Sequence, residues 1–101
     1  MNNDDTIFEV VDRYGRKIQL RKDAWKHIMC EHPELINYLQ FIEETLKGPT
    51  KITGFSDDEN VKYYYRYYKN RKSPAKYLLV IVKYLNGIAI IITSYFVKNI
   101  K

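Results

Sequence analysis

Cysteine is nearly absent from this chain of 101 residues. A single cysteine, Cys30, excludes an internal disulfide and any zinc site built from paired cysteines, and it indicates a reducing compartment. Cys30 lies in an apolar stretch beside Met29. Because a reactive thiol needs electropositive surroundings, inert packing is the favoured interpretation of this residue.

The chain also lacks a long uninterrupted apolar run. The most apolar stretch, 77–97, is broken by Lys83 and by Asn86-Gly87, and neither half reaches the roughly 20 residues that a membrane helix needs. The first residues, Met1 to Asp5, are polar and acidic, unlike the basic start and apolar core of a signal peptide. The sequence therefore predicts a cytoplasmic protein without membrane association, and its length predicts one domain spanning 1–101.

Acidic residues are missing from the second part of the chain. Residues 1–59 carry 8 basic and 12 acidic side chains, whereas residues 60–101 carry 9 basic side chains and no acidic one. Charge of one sign creates a field that attracts polyanions. The alternative is a set of solvated lysines that only keep the protein in solution. The nine are Lys62, Arg66, Lys69, Arg71, Lys72, Lys76, Lys83, Lys98 and Lys101.

Turn-forming residues divide the chain into short elements. Alternating β-branched residues predict a hairpin of Thr6–Val11 and Arg16–Leu20, with Gly15 at positive φ in the turn. A helix is predicted over Lys22–Glu31, because Pro33 disfavours helical geometry at His32.

A second helix is predicted from Pro33, which suits a first helical turn, to Lys47, with Gly48 as the C′ glycine. An acidic loop is expected at Ser56 to Asn60. The remaining strands are predicted at 51–54, 61–69, 77–84 and 88–97. The result is an α+β fold with an N-terminal β-hairpin, two helices and a three- to four-stranded antiparallel sheet with the helices packed on one face.

Asn86-Gly87 between two apolar runs predicts a hairpin with a type I′ turn. Pairing Leu85 with Ile88 then places Val80 opposite Thr93, and Leu78 opposite Tyr95. In this register Thr93 and Tyr95 share a face with Leu78, Val80 and Val82, while Lys83, Ile81 and Ile92 lie on the other.

Both histidines, His27 and His32, fall at the first helix. Histidine is the usual general acid or base near neutral pH, so both are candidate catalytic residues. Their spacing of five turns one roughly 140° from the other on a helix. The alternatives are a surface side chain for His27 and a helix-terminal histidine for His32. The spacing does not suit a helical metal pair, and we expect no metal site.

The segment from Lys62 to Lys69 alternates tyrosines with cations. Strand periodicity places Tyr63, Tyr65 and Tyr67 on one face, and Tyr64, Arg66 and Tyr68 on the other. Rings that stack on bases beside cations that pair with phosphates suit single-stranded nucleic acid. The alternative is a strand whose tyrosines pack in the core.

Six motifs follow one another along the chain: Trp25-Lys26-His27-Ile28, His32-Pro33-Glu34, Thr45-Leu46-Lys47-Gly48-Pro49 with Ile52, the tyrosine–arginine strand, Val80-Ile81-Val82-Lys83 and Ile92-Thr93-Ser94-Tyr95. In this order they resemble the phage-associated nuclease domains of the barnase–EndoU–colicin–RelE-like (BECR) superfold. The resemblance spans roughly Arg16 to Lys101. It implies metal-independent RNA cleavage by a phage-linked or toxin effector, with function carried by His27, His32, Arg66, Thr93 and Tyr95, and less directly by Lys83.

The hypothesis is attack of the ribose 2′-OH on the adjacent phosphate, leaving a 2′,3′-cyclic phosphate and needing no metal or cofactor. One histidine would act as acid or base and Arg66 would clamp the phosphate, while Tyr95 and Thr93 would position it. Tyr65 would stack a base. Lys62, Lys69 and Lys83 would contact the RNA. Two alternatives stay open: a non-catalytic RNA-binding module, or a protein-interaction module such as a toxin–antitoxin component with an acidic partner.

Overall fold

The computed structural model describes residues 5–101, which form two α-helices, a short 3₁₀ helix and six strands. The prediction that Met1 to Asp5 contain no signal peptide lies almost wholly outside these residues. In chain order the elements are β1 (Thr6–Val11), β2 (Lys17–Arg21), α1 (Lys22–Glu31), the 3₁₀ helix (Pro33–Asn37), α2 (Leu39–Lys47), β3 (Lys51–Phe55), β4 (Asp58–Tyr67), β5 (Tyr77–Leu85) and β6 (Ile88–Val97).

All six strands of the described chain belong to one mixed sheet, in the order β1-β2-β6-β5-β4-β3. The α+β class is confirmed, and the predicted strand arrangement is borne out in part. The N-terminal hairpin and the antiparallel run from β3 to β6 are present, but they form one six-stranded mixed sheet, which was not predicted. The β1–β2 hairpin joins the sheet because β2 pairs in parallel with β6, at Ile18–Ala89 and Gln19–Ile90. An isolated two-stranded hairpin is marginal in water, and this pairing buries its apolar residues in the common core.

The core lies between the helices and one face of the sheet, as predicted. Every second residue of the central strands points toward the helices, so the other residues of the same strands face away. The buried residues of this core include Ile28, Leu35, Ile42 and Leu46 from the helical segments and Tyr64, Leu78, Val80 and Val82 from the sheet.

The helical region differs locally from the prediction. The expected second helix is broken into the 3₁₀ helix and α2 at Tyr38, whose φ of −116° and ψ of 17° are not helical. The Tyr38 ring packs edge-on against Phe41 and Phe96. Gly48 does end α2, but its φ of −139° is not left-handed. Cys30 is exposed instead of packed, because the stripe of α1 that faces the core is centred on Ile28.

Two loop predictions are also corrected. The expected acidic loop at 56–60 is a tight turn, and β4 begins already at Asp58, whose carboxylate accepts a hydrogen bond from Asn60 N at 2.9 Å. The turn between β5 and β6 is not type I′, since among residues 5–101 only glycines have positive φ. Gly87 has a φ of 84° and Asn86 does not share it.

A β-bulge changes the register of β5 and β6. Pairing runs as predicted from Leu85–Ile88 to Val82–Ile91, but Ile81 then pairs with Thr93, not with Ile92. One extra residue in a strand shifts every later side chain to the opposite face. Val80 therefore faces Ser94, and Tyr95 faces Leu79. The predicted placement of Thr93 and Tyr95 on the face of Val80 is wrong.

Gly87, whose backbone is left-handed in the β5–β6 turn, allows a prediction about stability. We expect Gly87→Ala to lower the free energy of unfolding by about 1–2 kcal/mol, because a Cβ strains the backbone at positive φ. Open space surrounds this position, so no clash adds to the cost. Gly54→Ala is the matched control, since its φ is ordinary and the added Cβ would meet only Lys62 Nζ at 3.7 Å. Urea denaturation of both variants tests this, and an equal loss at both positions would contradict it.

Candidate nucleic-acid interface

The sheet face that points away from the helices carries a band of aromatic rings, which we call the tyrosine face. Register aligns Tyr63, Ile81 and Thr93 in one row across β4, β5 and β6. Tyr65, Leu79 and Tyr95 form a parallel row on the same face. The band consists of Phe55, Tyr63, Tyr65, Tyr67, Tyr77 and Tyr95. Neighbouring rings are in contact range, with centroids 5.9 Å apart for Phe55–Tyr63 and 5.1 Å apart for Tyr67–Tyr77.

His32 adds its ring to the tyrosine face. Beyond Ile90, β6 no longer pairs with β2, and α1 contacts β6 there. The end of α1 thus brings the His32 ring onto Tyr95, with centroids 4.9 Å apart and the planes inclined by 21°. The His32 side chain is 29% exposed, and its Nδ1 lies 3.9 Å from Glu34 Oε2. Two of the predicted site residues are therefore in contact, with the histidine open to solvent.

Tyr95 is a protonated hydroxyl at neutral pH. Burial raises the pKa of Tyr95, and the neighbouring Tyr63 and Tyr65 raise it further. A phenol with a raised pKa keeps its proton and serves as a hydrogen-bond donor. Tyr95 can therefore donate to a phosphate oxygen, whereas it is unsuited to act as a base.

Two predicted catalytic residues lie elsewhere. The His27 side chain is 54% exposed on α1, and its Nε2 lies 3.5 Å from Glu31 Oε1. Arg66 points to the helix-bearing face, where Nη1 donates to Gly48 O at 2.5 Å and the guanidinium lies over the Tyr68 ring. Arg66 thus binds a carbonyl at the end of α2 and is on the opposite side of the sheet from His32.

The predicted RNA-contacting residues are scattered over both faces. Tyr65 lies on the tyrosine face but is only 1% exposed, and Lys101 N is 3.4 Å from its hydroxyl. Lys83 shares this face, with Nζ 3.2 Å from Asp58 Oδ2. Lys62 lies on the helix-bearing face, and Lys69 is exposed in the loop after β4. Thr93 is half-buried on the tyrosine face beside Ile81.

Sequence reasoning missed a buried polar network on the helix-bearing face. Asp12 Oδ2 accepts hydrogen bonds from Tyr64 Oη at 3.0 Å and from Arg16 Nε at 3.1 Å. The Tyr64 hydroxyl also bonds to that of Tyr84. Burial raises the pKa of Tyr64, and the hydrogen bond to Tyr84 adds to the rise. The available signal was Asp12 at the head of a turn, where its side chain can accept backbone N–H groups.

The position of Arg66 leads to a prediction that separates structural from phosphate-binding roles. We expect Arg66→Met to lower the free energy of unfolding by about 1.5–3 kcal/mol, because the Gly48 carbonyl loses a charged donor. RNA affinity of the folded variant should stay close to that of the parent, since the guanidinium is on the face opposite His32. Denaturation and RNA binding below the melting range measure the two effects. A large loss of affinity with unchanged stability would instead support Arg66 as the phosphate clamp.

Comparison with protein-family models, curated proteins and solved structures gives no match to this chain. No helix within residues 5–101 has the length and apolar character to cross a membrane. In the same part of the chain, no group of three or more His, Cys, Asp or Glu side chains is placed to hold a metal ion.

Proposed function

We propose that the tyrosine face binds single-stranded RNA and that His32 promotes its metal-independent cleavage. The observation that carries the proposal is the stack of His32 on Tyr95 within a band of aromatic rings. Bases stack on such rings without sequence preference, and a histidine beside them can reach the sugar–phosphate backbone. The resemblance to phage-associated nucleases of the BECR superfold supports the same activity, as a phage-linked or toxin effector.

Charge around the tyrosine face supports RNA as the ligand. Lys51 and Lys83 lie on this face by register, and Lys101 reaches it beside Tyr65. Lys51 and Lys101 are exposed, so their ammonium groups are available to phosphates. An acidic inhibitor or antitoxin protein would be attracted to the same surface.

In the proposed reaction His32 accepts the proton of the ribose 2′-OH, which attacks the adjacent phosphorus. Tyr95 donates a hydrogen bond to a phosphate oxygen as negative charge develops there. The leaving 5′-oxygen takes a proton from solvent. The product is a 2′,3′-cyclic phosphate, and the proposed steps need only side chains and solvent.

The test is incubation of the protein with end-labelled RNA in EDTA, followed by analysis of the new ends. We expect fragments that carry 2′,3′-cyclic phosphates. Intact RNA at high protein concentration, over several RNAs and pH values, would overturn the cleavage proposal. Activity that needs an added divalent metal would overturn its metal independence.

The second candidate is an RNA-binding module without catalysis. The observation that favours it is the engagement of Arg66 with Gly48 O, which leaves the tyrosine face without the predicted guanidinium. This candidate predicts intact RNA and a binding constant that falls steeply with salt, as phosphate contacts release counterions. Binding measured from 50 to 200 mM salt, beside the cleavage assay, distinguishes the two functions.

A further inference from the structure

A second cleft, which we call the Arg16 cleft, lies on the helix-bearing side of the sheet at the β1–β2 turn. Its volume is about 530 Å³. None of the described residues that line it is acidic, and two carry positive charge. The lining residues are Tyr14, Arg16, Ile52, Thr53, Gly54 and Lys62.

Arg16 is held in a fixed orientation. Its Nε donates to Asp12 Oδ2, and its guanidinium carbon lies 5.0 Å from the Tyr14 ring centroid and 4.4 Å from that of Tyr84. A guanidinium between two rings loses little further freedom when it binds a ligand. Among residues 5–101, its only side-chain hydrogen bond is the one from Nε, so both terminal nitrogens remain available.

Asp12 does not compete for a ligand as an open carboxylate would. Its side chain is 1% exposed and accepts bonds from Tyr14 N and Arg16 N, both at 2.9 Å, besides those from Tyr64 and Arg16 Nε. Within residues 5–101, these four hydrogen bonds engage both carboxylate oxygens, which are buried. Asp12 thus orients Arg16 through Nε, while the terminal nitrogens of the guanidinium keep the cleft positive.

Lys62 supplies a second cation from β4. Its ammonium lies against Gly54 of β3, since a Cβ built on that glycine would be 3.7 Å from Nζ. The missing side chain leaves the approach to the ammonium open on the β3 side. The planar guanidinium of Arg16 and the ammonium of Lys62 both line the cleft. Together they suit a phosphate group, whose several oxygens can accept hydrogen bonds from both side chains.

We propose that the Arg16 cleft binds the phosphate group of a nucleotide. The terminal nitrogens of Arg16 form a bidentate contact, Lys62 contacts another oxygen, and the exposed Tyr14 ring stacks on the base. The site lies on the other side of the sheet from His32 and requires no catalysis, so it is independent of the proposed cleavage. The phosphate can come from a free mononucleotide or from a polynucleotide backbone.

The test is an NMR titration of the full ¹⁵N-labelled chain with 5′-AMP, adenosine, inorganic phosphate and a short oligonucleotide. We expect 5′-AMP to shift the Arg16 Nε–H and Gly54 N–H signals, with weaker binding of phosphate alone and of adenosine, which keeps only the base contact with Tyr14. Arg16→Lys, which keeps the charge but loses the fork, and Lys62→Ala should each weaken binding about tenfold or more. Lys26→Ala, a matched charge removal outside the cleft, should leave it unchanged.

Each outcome decides the proposal. Shifts with 5′-AMP that depend on Arg16 and Lys62 support a mononucleotide site, and shifts with the oligonucleotide alone support a contact to a polynucleotide backbone. Equal binding of adenosine and 5′-AMP would overturn phosphate recognition. Absence of shifts with every probe at millimolar concentration, or an equal loss in Lys26→Ala, would overturn the site. These readouts do not involve RNA cleavage, so failure here and failure of the nuclease proposal are distinguishable.

Discussion

Replacing His32 by alanine is expected to lower the rate of RNA cleavage by about 10²- to 10⁴-fold, the usual contribution of a positioned general acid or base. The reason is geometric. His32 lies on the Tyr95 ring, beside a hydroxyl that keeps its proton and can donate to the phosphate. Removing the imidazole leaves the aromatic band and lysines to bind RNA, so affinity should fall much less than the rate.

His27→Ala is the matched control. His27 is the other histidine of the chain, lies on α1, which ends one residue before His32, and is more exposed. Because its ring is beside Glu31 and not on the tyrosine face, we expect little change in rate. Single-turnover cleavage of end-labelled RNA in EDTA measures both variants, and an equal loss in the two would contradict the assignment to His32.

A third variant separates stacking from proton transfer. His32→Phe keeps a flat ring that can stack on Tyr95 but has no nitrogen to carry a proton. If His32 is the base, this variant should be as slow as His32→Ala while binding RNA like the parent. Retained cleavage in His32→Phe would show that only the ring matters, and the proposed role of His32 would be wrong.

Local signals predicted the elements of this fold well. The end of α1 at Glu31 follows from Pro33, which disfavours helical geometry at His32, and the structure gives the predicted Lys22–Glu31. The Asn86-Gly87 pair fixed the position of the β5–β6 turn, although not its type. Such features depend on one or two residues and their backbone preferences, so the sequence carries them directly.

Long-range pairing was not predictable in the same way. The parallel contact of β2 with β6 joins residues about 70 positions apart, and no local pattern encodes it. The bulge at Ile92 lies just beyond Ile90, the last residue of β6 that pairs with β2. That single residue moves Thr93 and Tyr95 onto the tyrosine face, away from Arg66. The candidate site therefore contains Thr93 and Tyr95 but not Arg66, because of a register shift that the alternation of apolar residues did not indicate.

The hydrogen-bond network of Asp12 is another long-range feature that local sequence patterns did not predict. Asp12 and Tyr64 are 52 positions apart, and each reads locally as a turn residue or a strand aromatic. Their contact depends on tertiary packing that brings the β1–β2 turn to Tyr64 of β4, although β6 and β5 lie between β2 and β4 in the sheet. A buried carboxylate with four donors has large consequences for stability, and these can be measured.

Asp12→Asn is expected to lower the free energy of unfolding at pH 7 by about 3 kcal/mol, as for a buried pair that loses one partner. Asparagine has one acceptor oxygen where aspartate has two, and an NH₂ group in place of the other. If the NH₂ group replaces Oδ1, it faces the backbone N–H groups of Tyr14 and Arg16. If it replaces Oδ2, it faces the Tyr64 hydroxyl and Arg16 Nε. Asp23→Asn is the control, because the Asp23 carboxylate is exposed and, among the described residues, accepts a hydrogen bond only from Ala24 N. We expect less than about 0.5 kcal/mol there.

The effect should depend on pH in a defined direction. Burial alone would raise the pKa of Asp12, but hydrogen bonds from Arg16 N, Tyr14 N and Tyr64, with the charge of Arg16, outweigh it and lower the pKa below its usual value. A lowered folded-state pKa contributes stability above the unfolded pKa of about 3.9, and this is lost as pH falls through the folded pKa. The stability difference between parent and Asp12→Asn should thus be constant above about pH 5 and shrink below pH 4.

Urea denaturation of the parent and of Asp12→Asn at pH 7 and pH 3 measures this difference. Other carboxylates, including Asp58, are present in both proteins, so their titration cancels. A difference that stays constant or grows on acidification would contradict the lowered pKa of Asp12. Because Asp12 also fixes Arg16, folded Asp12→Asn should bind 5′-AMP more weakly although neither phosphate-contacting cation has changed. Such weaker binding would show that the buried network around Asp12, besides stabilising the fold, orients the Arg16 guanidinium in the cleft.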